Sequence, residues 1–255
     1  MSTANVMSVA TIPGLHKPLT KEDLKESTIL YNGLPRIHSE MHIDMDHVEE
    51  LVGIITRHGQ LGKFSFHLVH RHDPIPNDTI RLESGFGIVP GKWNKPTAVD
   101  SVDLNNIHAV IFKFAPTQNR LVPFEFGLGP SPITPGGVDD EFVLEFTRYL
   151  AKNDLTNMFA LEVVHPTEGG KPNECTAEVE VDKLGTVVLP KSLVNAKEFL
   201  PTGWPGSLQP GDSDPPAGQS WAKKVDESHK VFINKPIGTA GELVQELVRQ
   251  GVLKV

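Results

Sequence analysis

The chain has 255 residues, of which 38% are hydrophobic and 22% charged, and its formal net charge at pH 7 is −8. This is the composition of an ordinary globular protein that is long enough to bury a substantial core. The acidic balance, without any clustered basic patch, argues against nucleic acid or an anionic membrane surface as the main partner. The single cysteine, Cys175, excludes an intrachain disulfide and favours a reducing compartment.

The N-terminal stretch from Met1 to Gly14 lacks the basic segment and apolar core of a signal peptide, and no apolar run of the chain approaches membrane-spanning length. We therefore expect a cytoplasmic protein. Residues 1–19 lack periodicity and are interpreted as an N-terminal arm. Thr20 stands three residues before Asp23, a spacing typical of a helix start, and predicts a short first helix.

Residues 36–73 are the most unusual stretch, because they contain seven of the chain's 11 histidines. In the first part, Arg36 to Asp44, polar and apolar side chains alternate with the period of a β-strand. One face of this predicted strand carries four ionisable side chains, those of His38, Glu40, His42 and Asp44.

A helix is predicted next, beginning at Asp44 or Asp46 and running to about His58. A second strand is predicted from Phe64 to His72, in which His70 and His72 continue the apolar face. A β-α-β unit of this length brings its two strands close in one sheet. The sequence therefore predicts that the histidines of both strands lie together.

Strand periodicity recurs along the rest of the chain, at 79–89, 107–114, 120–126, 158–165, 176–182 and 186–189. Two further helices are predicted, over 139–152 and 240–250, from their capping residues and apolar spacing.

Residues 201–218 contain five prolines and four glycines and are predicted to form neither a helix nor a central strand. Trp204 and Trp221 lie at the edges of this loop. We consider two interpretations, a flap that closes over a pocket and a solvated surface excursion.

These elements predict an α+β fold, with a curved, mostly antiparallel sheet or partly open barrel and with the helices near 45–58, 139–152 and 240–250 packed outside. We expect residues 1–255 to form a single domain. The alternative is a division into two small lobes near residue 135.

The pair His70 and His72 presents two imidazoles on one strand face, close enough to bind one metal ion. His38 or His42 would complete the ligand set, and imidazole with carboxylate suits zinc or iron(II). Glu40 would then serve as the general acid or base. The plainer interpretation is that these histidines only form hydrogen bonds in a polar interior.

Two other histidines, His108 and His165, lie on otherwise apolar strand faces and are candidates for acid–base catalysis in the same interior. The leading hypothesis is an enzyme that acts on a small organic molecule in an internal pocket, as a metal-assisted lyase, isomerase or hydrolase. One alternative is a metal-free lyase or isomerase that uses histidine and glutamate. The other is a non-catalytic protein that binds a small molecule or a partner.

The His-x-His pair is also typical of cupins, but in that family a glutamate follows the pair closely. Here Asp73 and Pro74 follow His72, and the next glutamate is Glu83, so the sequence is not assigned to the family. The chain also lacks a nucleophile elbow, a P-loop and a dinucleotide-binding fingerprint, which disfavours serine hydrolases, NTPases and Rossmann oxidoreductases.

Overall fold

The computed structural model describes residues 12–36, 42–134, 136–164, 175–205, 218–223 and 230–254. Four helices lie in these segments: α1 (Lys21–Asn32), α2 (Met45–Arg57), α3 (Asp140–Lys152) and α4 (Ala240–Arg249). The strands are β1 (Phe64–Leu68), β2 (Thr79–Gly85), β3 (Lys92–Ala98), β4 (Ile107–Ala115), β5 (Arg120–Leu128), β6 (Phe159–Val163), β7 (Thr176–Val181), β8 (Gly185–Pro190), β9 (Glu198–Pro205), β10 (Gln219–Lys223) and β11 (Lys230–Val231).

Ten of the strands form a closed barrel in the order β10-β9-β1-β6-β4-β5-β2-β3-β8-β7, and a pairing between β7 and β10 closes the ring. Most neighbours are antiparallel, but β2 pairs in parallel with β5, and β7 pairs in parallel with both β10 and β11. The predicted open sheet or partly open barrel is therefore wrong. The sequence did not reveal the closure because it joins strands far apart in the chain, with Gln219 beside Thr176.

The strands predicted at 107–114 and 120–126 form the antiparallel hairpin β4–β5, and those predicted at 176–182 and 186–189 form the antiparallel hairpin β7–β8. Each turn contains a residue with positive φ, Asn119 at 50° in the first and Lys183 at 60° in the second. Short turns of this kind fix the register of the strands that they join. The register in turn decides which side chains face the inside of the barrel.

Helices α2 and α3 pack on the outer face of the barrel, where they cover its largest apolar cluster. Asp44 and Asp139 cap the two helices, and each is one of the two capping residues that the sequence allowed, the other being Asp46 for α2 and Asp140 for α3. The buried stripes of these helices contact the outer-facing side chains Phe64 and Phe66 of β1. In the described parts of the chain, no helix is both long enough and apolar enough to cross a membrane.

The other two helices cover different parts of the barrel. Helix α4, which begins with the predicted capping box at Thr239 and Glu242, packs on a second apolar cluster outside β7 and β8. Helix α1 ends near the barrel interior, where Tyr31 and Leu34 pack with Phe124 of β5.

The stretch 201–218 differs from its prediction. Residues 201–205 belong to β9, which pairs with β1 and β10, so this part of the stretch is a barrel strand. Trp204 is buried and stacks on Phe66, and Trp221 is also buried, so both indoles belong to the packed interior and not to a flap. Residues 206–217 lie outside the described segments.

Candidate metal centre

The inner face of the barrel is polar because two strands alternate between apolar and ionisable residues. In β7, Ala177 and Val179 pack outward beneath α4, so that Glu178 and Glu180 face inward. In β1, Phe66 packs outward and His67 faces inward. The same rule of alternation thus lines the interior with carboxylates and imidazoles.

Strand β1 ends at Leu68, four residues before the end that the sequence predicted at His72. The expected alternation therefore does not continue through His70 and His72. Instead of sharing the outer apolar face of Phe66 and Leu68, these two side chains lie beside Glu178 in the barrel interior. The ring of His70 stacks on that of His67, with 5.2 Å between centroids.

His70, His72 and Glu178 form a buried group in which one potential ligand atom of each residue lies within 4.8 Å of the other two. Nε2 of His70 lies 3.5 Å from Oε2 of Glu178, and Nε2 of His72 lies 3.9 Å from the same oxygen. Two imidazoles and one carboxylate are a common ligand set for zinc and iron(II). This group could hold a metal ion.

Hydrogen bonds to the backbone orient the imidazole rings of His70 and His67. Nδ1 of His70 lies 3.0 Å and Nδ1 of His67 lies 2.9 Å from the carbonyl oxygen of Leu68. Because a carbonyl only accepts, each Nδ1 carries a proton and donates it to this oxygen. In the neutral form of His70, the lone pair is then on Nε2, which faces Glu178. Such backbone contacts commonly set the tautomer of metal-binding histidines.

Gln219 fixes the carboxylate from the other side. Its Nε2 amide donates to Oε1 of Glu178 over 2.8 Å and lies 3.2 Å from Nε2 of His67. The other carboxylate oxygen, Oε2 of Glu178, is buried and forms no hydrogen bond with the described residues, although Nε2 of His70 lies 3.5 Å from it. A buried carboxylate oxygen without a donor is costly, so this atom requires a cation or a proton beside it.

The charges in the group are strongly coupled. Burial is the largest single influence and by itself would raise the pKa of Glu178, but the three histidines, His70 foremost, outweigh it and lower that pKa. Burial would likewise lower the pKa of His70, but Glu178 outweighs it and the pKa is raised. For His72, burial prevails and the pKa is lowered. Without a metal ion, the group therefore favours a protonated His70 beside an ionised Glu178.

The pKa of a second carboxyl group in the interior is shifted in the opposite direction. Glu125 of β5 is buried, and this burial raises its pKa to about 7. Its Oε2 accepts a hydrogen bond of 2.6 Å from the side-chain amide of Asn94. A carboxyl group that titrates near neutral pH is suited to proton transfer.

Two cavities adjoin the His70–His72–Glu178 group. One has a volume of about 190 Å³ and is lined in part by Glu125, Glu178 and Gln219. The other, of about 510 Å³, is lined in part by His72 and Arg81. The group therefore has access to space for a small molecule from two sides.

The structure brings together only part of the predicted ligand set. His70 and His72 lie in the group, but His42 is exposed and does not belong to it. His108 also lies apart from it, and its Nδ1 is 3.0 Å from the carbonyl oxygen of Gly129. His38, Glu40 and His165 lie outside the described residues.

Sequence reasoning missed Glu178, Glu125 and Gln219. The alternation of Glu178 and Glu180 with alanine and valine was visible, but an acidic strand face ordinarily points to solvent. Gln219 followed a Pro/Gly-rich stretch and showed no strand pattern of its own. In comparisons with protein families, with curated proteins and with solved structures, nothing matches this chain.

Proposed function

We propose that this protein is a metal-dependent enzyme that acts on a small organic molecule inside its barrel. A divalent cation, zinc or iron(II), would be bound by His70, His72 and Glu178. The observation that carries the proposal is the unsatisfied Oε2 of Glu178, which two imidazole nitrogens face from within 4 Å. A cation between these three atoms would neutralise the buried carboxylate and would be coordinated by the Nε2 lone pairs of the two imidazoles.

Three protein ligands leave a coordination position for water or substrate, the arrangement of catalytic rather than structural zinc sites. A cation at this place would polarise a carbonyl or activate a water molecule. Glu125 supports the same proposal, because it lines the cavity that also contains Glu178 and titrates near neutral pH. We assign it the proton transfer of a lyase, isomerase or hydrolase reaction.

The alternative is a metal-free site. The favoured ion pair between protonated His70 and Glu178 supports it, since the group can compensate its own charge. In that case His70 and Glu125 would serve as acid and base, or the pocket would only bind a ligand. Metal content separates the two candidates. The cytoplasmic location remains a prediction from the sequence.

The test is metal analysis of protein purified without a histidine tag, before and after incubation with zinc or iron(II). We expect about one equivalent of bound metal per chain in the wild type, as for a single mononuclear site. Glu178→Gln keeps the shape of the side chain but removes its charge, and should lose this metal. Glu162→Gln is the matched control, because Glu162 also lines the smaller cavity but is not part of the group.

Two results would contradict the metal proposal. One is less than about a tenth of an equivalent after incubation, with no change in melting temperature on adding metal, because binding to the native state must stabilise it. The other is equal metal content in Glu178→Gln and the wild type, which would place the metal elsewhere.

A further inference from the structure

Arg81 of β2 is a buried cation that the proposed metal chemistry does not use. Arg81 is only 1% exposed to solvent. Among the described residues it forms no ion pair, and its one hydrogen bond runs from Nη2 to Oγ1 of Thr186 over 2.7 Å. Nε is buried without a partner. A buried guanidinium in this state lacks the anion that would normally compensate its charge.

The surrounding structure holds Arg81 in place without neutralising it. Its guanidinium carbon lies 5.7 Å from the ring centroid of Tyr31, within the range of a cation–π contact. On the other side, Nη1 lies 2.7 Å from where a Cβ of Gly185 would stand, so that only glycine leaves room for the guanidinium there. Glu125 is its partner in the register of β2 and β5. Burial raises the pKa of Glu125 and the charge of Arg81 acts to lower it, but the two side chains form no ion pair or hydrogen bond.

The other carboxylates near this cavity already have cations of their own. Asp73 pairs with Lys230 and Arg36, and Glu180 lies 3.1 Å from Nζ of Lys230 and 3.7 Å from Arg36. Lys230 also lies 3.7 Å from Asp182. Lys230 and Arg36 therefore compensate the negative charges of this region, whereas Arg81 has no carboxylate in ion-pair contact among the described residues.

The cavity beside Arg81 shows what kind of anion would fit. It has a volume of about 510 Å³. Its polar lining consists of Arg81, His72 and Lys183 together with the carboxylates of Asp73, Glu180 and Asp182, which Lys230 and Arg36 compensate, and its apolar lining consists of Pro74, Ile75, Pro76 and Pro96. Proline and isoleucine side chains offer apolar contact and few polar partners. A ligand with one anionic end and an apolar body matches this lining. A planar guanidinium with free donors recognises a carboxylate with geometric specificity.

We propose that Arg81 binds the carboxylate of a small organic acid in this cavity, with the remainder of the ligand directed toward His72. The inference deepens the proposed function, and rests on it for the identification of this acid as the substrate. Binding of the carboxylate itself requires no metal. The experiment can therefore fail for one proposal without failing for the other.

The test compares 4-fluorobenzoate with 4-fluorobenzamide as probes, since they have the same shape and differ in charge. Affinities are measured by ¹⁹F NMR titration of the full chain, both as purified and after treatment with EDTA. We expect the acid to bind at least about tenfold more tightly than the amide in both states, as charge-assisted hydrogen bonds imply. Arg81→Met should abolish the preference. Arg148→Met, which changes an exposed arginine on the outer helix α3, should retain it.

Equal affinity for acid and amide in the wild type would overturn the inference. A preference that disappears with EDTA but survives Arg81→Met would also overturn it, and would place the carboxylate on a metal ion in agreement with the proposed function. Should Arg81→Met fail to fold, the ¹⁵N–¹H signal of Arg81 Nε in the wild type decides the question. Movement of this signal with the acid alone supports the inference, and an unchanged signal refutes it.

Discussion

His58 and His70 each lie beside a glutamate, but on opposite sides of the barrel wall. At the outer surface, Nε2 of His58 is 2.6 Å from Glu145 and Nδ1 is 2.9 Å from Asp139. In the interior, Nδ1 of His70 is bound to a backbone carbonyl and Nε2 is 3.5 Å from Glu178. His58 therefore has a carboxylate beside each ring nitrogen, whereas His70 shares the carboxylate of Glu178 with His67 and His72.

The difference shows why proximity of histidine and glutamate does not by itself define a metal site. The His58 cluster links α2 to α3, and its hydrogen bonds are complete when His58 is protonated. In the interior, Oε2 of Glu178 accepts no hydrogen bond from the described residues. Three potential ligand atoms converge there, and hydrogen bonds hold His70 and Glu178 from behind. Ligand atoms that converge on one point, together with a carboxylate oxygen that forms no hydrogen bond, distinguish a set of metal ligands from a surface ion pair.

The largest expected effect is a loss of folding stability when Trp204 of the barrel wall is replaced, without a loss of metal from the interior group. Trp204 stacks on Phe66 with 5.6 Å between ring centroids and also contacts Phe159. Trp204→Ala should lower the free energy of unfolding by about 3–5 kcal/mol, as expected for loss of a buried aromatic side chain. Chemical denaturation measures this loss. Metal content per folded chain should stay at the wild-type level, because no group residue changes.

A loss of less than about 1 kcal/mol would be typical of a surface residue and would contradict the placement of Trp204 in the core. Weakened ligand binding without loss of stability would restore the flap interpretation.

A decrease in zinc affinity of intermediate size is expected when the hydrogen bond that supports Glu178 is removed. Gln219→Met removes the amide that donates to Glu178 and contacts His67, while keeping a similar volume. We expect zinc affinity to fall by about 10–100-fold, the usual result of removing a hydrogen bond behind a metal ligand. Competition with a chromophoric chelator measures the affinity. Gln118→Met, at an exposed site, is the control.

Unchanged zinc affinity in Gln219→Met would mean that Glu178 needs no support from Gln219. An equal decrease in Gln118→Met would mean that the effect is not specific to the site.

The smallest effect concerns the surface cluster. The hydrogen bond to Glu145, and after it that to Asp139, raises the pKa of His58. Because the folded-state pKa is raised, His58 stabilises the protein fully below its unfolded pKa of about 6.5, and this stabilisation is lost as the pH rises through the folded value. After screening by solvent, its size should be at most about 1 kcal/mol. His58→Gln should therefore lower stability at pH 6 and have little effect at pH 9.

Denaturation at the two pH values measures this difference, and metal content should be unchanged in His58→Gln. A larger loss at pH 9 than at pH 6 would reverse the predicted sign. Loss of bound metal would show that the two clusters are not independent.

The outer half of the molecule could be predicted from the sequence, because apolar periodicity and helix caps are local signals. The helix predicted to begin at Asp44 or Asp46 is α2, with Asp44 as its cap, and the helix predicted over 139–152 is α3, with Asp139 as its cap. The interior could not be predicted in the same way. Glu178 becomes a partner of His70 only because the pairing of β7 with β10 closes the barrel and leaves just β10 and β9 between β7 and β1. That closure depends on pairings between strands that are distant in the chain.

Two local signals were also misleading. Prolines normally disfavour central strands, yet Pro201 and Pro205 lie in β9, which pairs on both sides. The alternation that placed His70 and His72 on the apolar face assumed that β1 continued to His72, whereas it ends at Leu68. In both cases tertiary context overrode the local pattern. His70 and His72 nevertheless lie together in one buried group, with Glu178.

X-ray absorption at the zinc edge of the zinc-loaded protein identifies the ligands of the bound ion. We expect imidazole scattering from two histidines, with nitrogen and oxygen ligands at about 2.0–2.2 Å. This signature should disappear in Glu178→Gln and persist in His58→Gln. A spectrum without imidazole ligands, or one that changes in His58→Gln and not in Glu178→Gln, would contradict the assignment of the metal to the barrel interior.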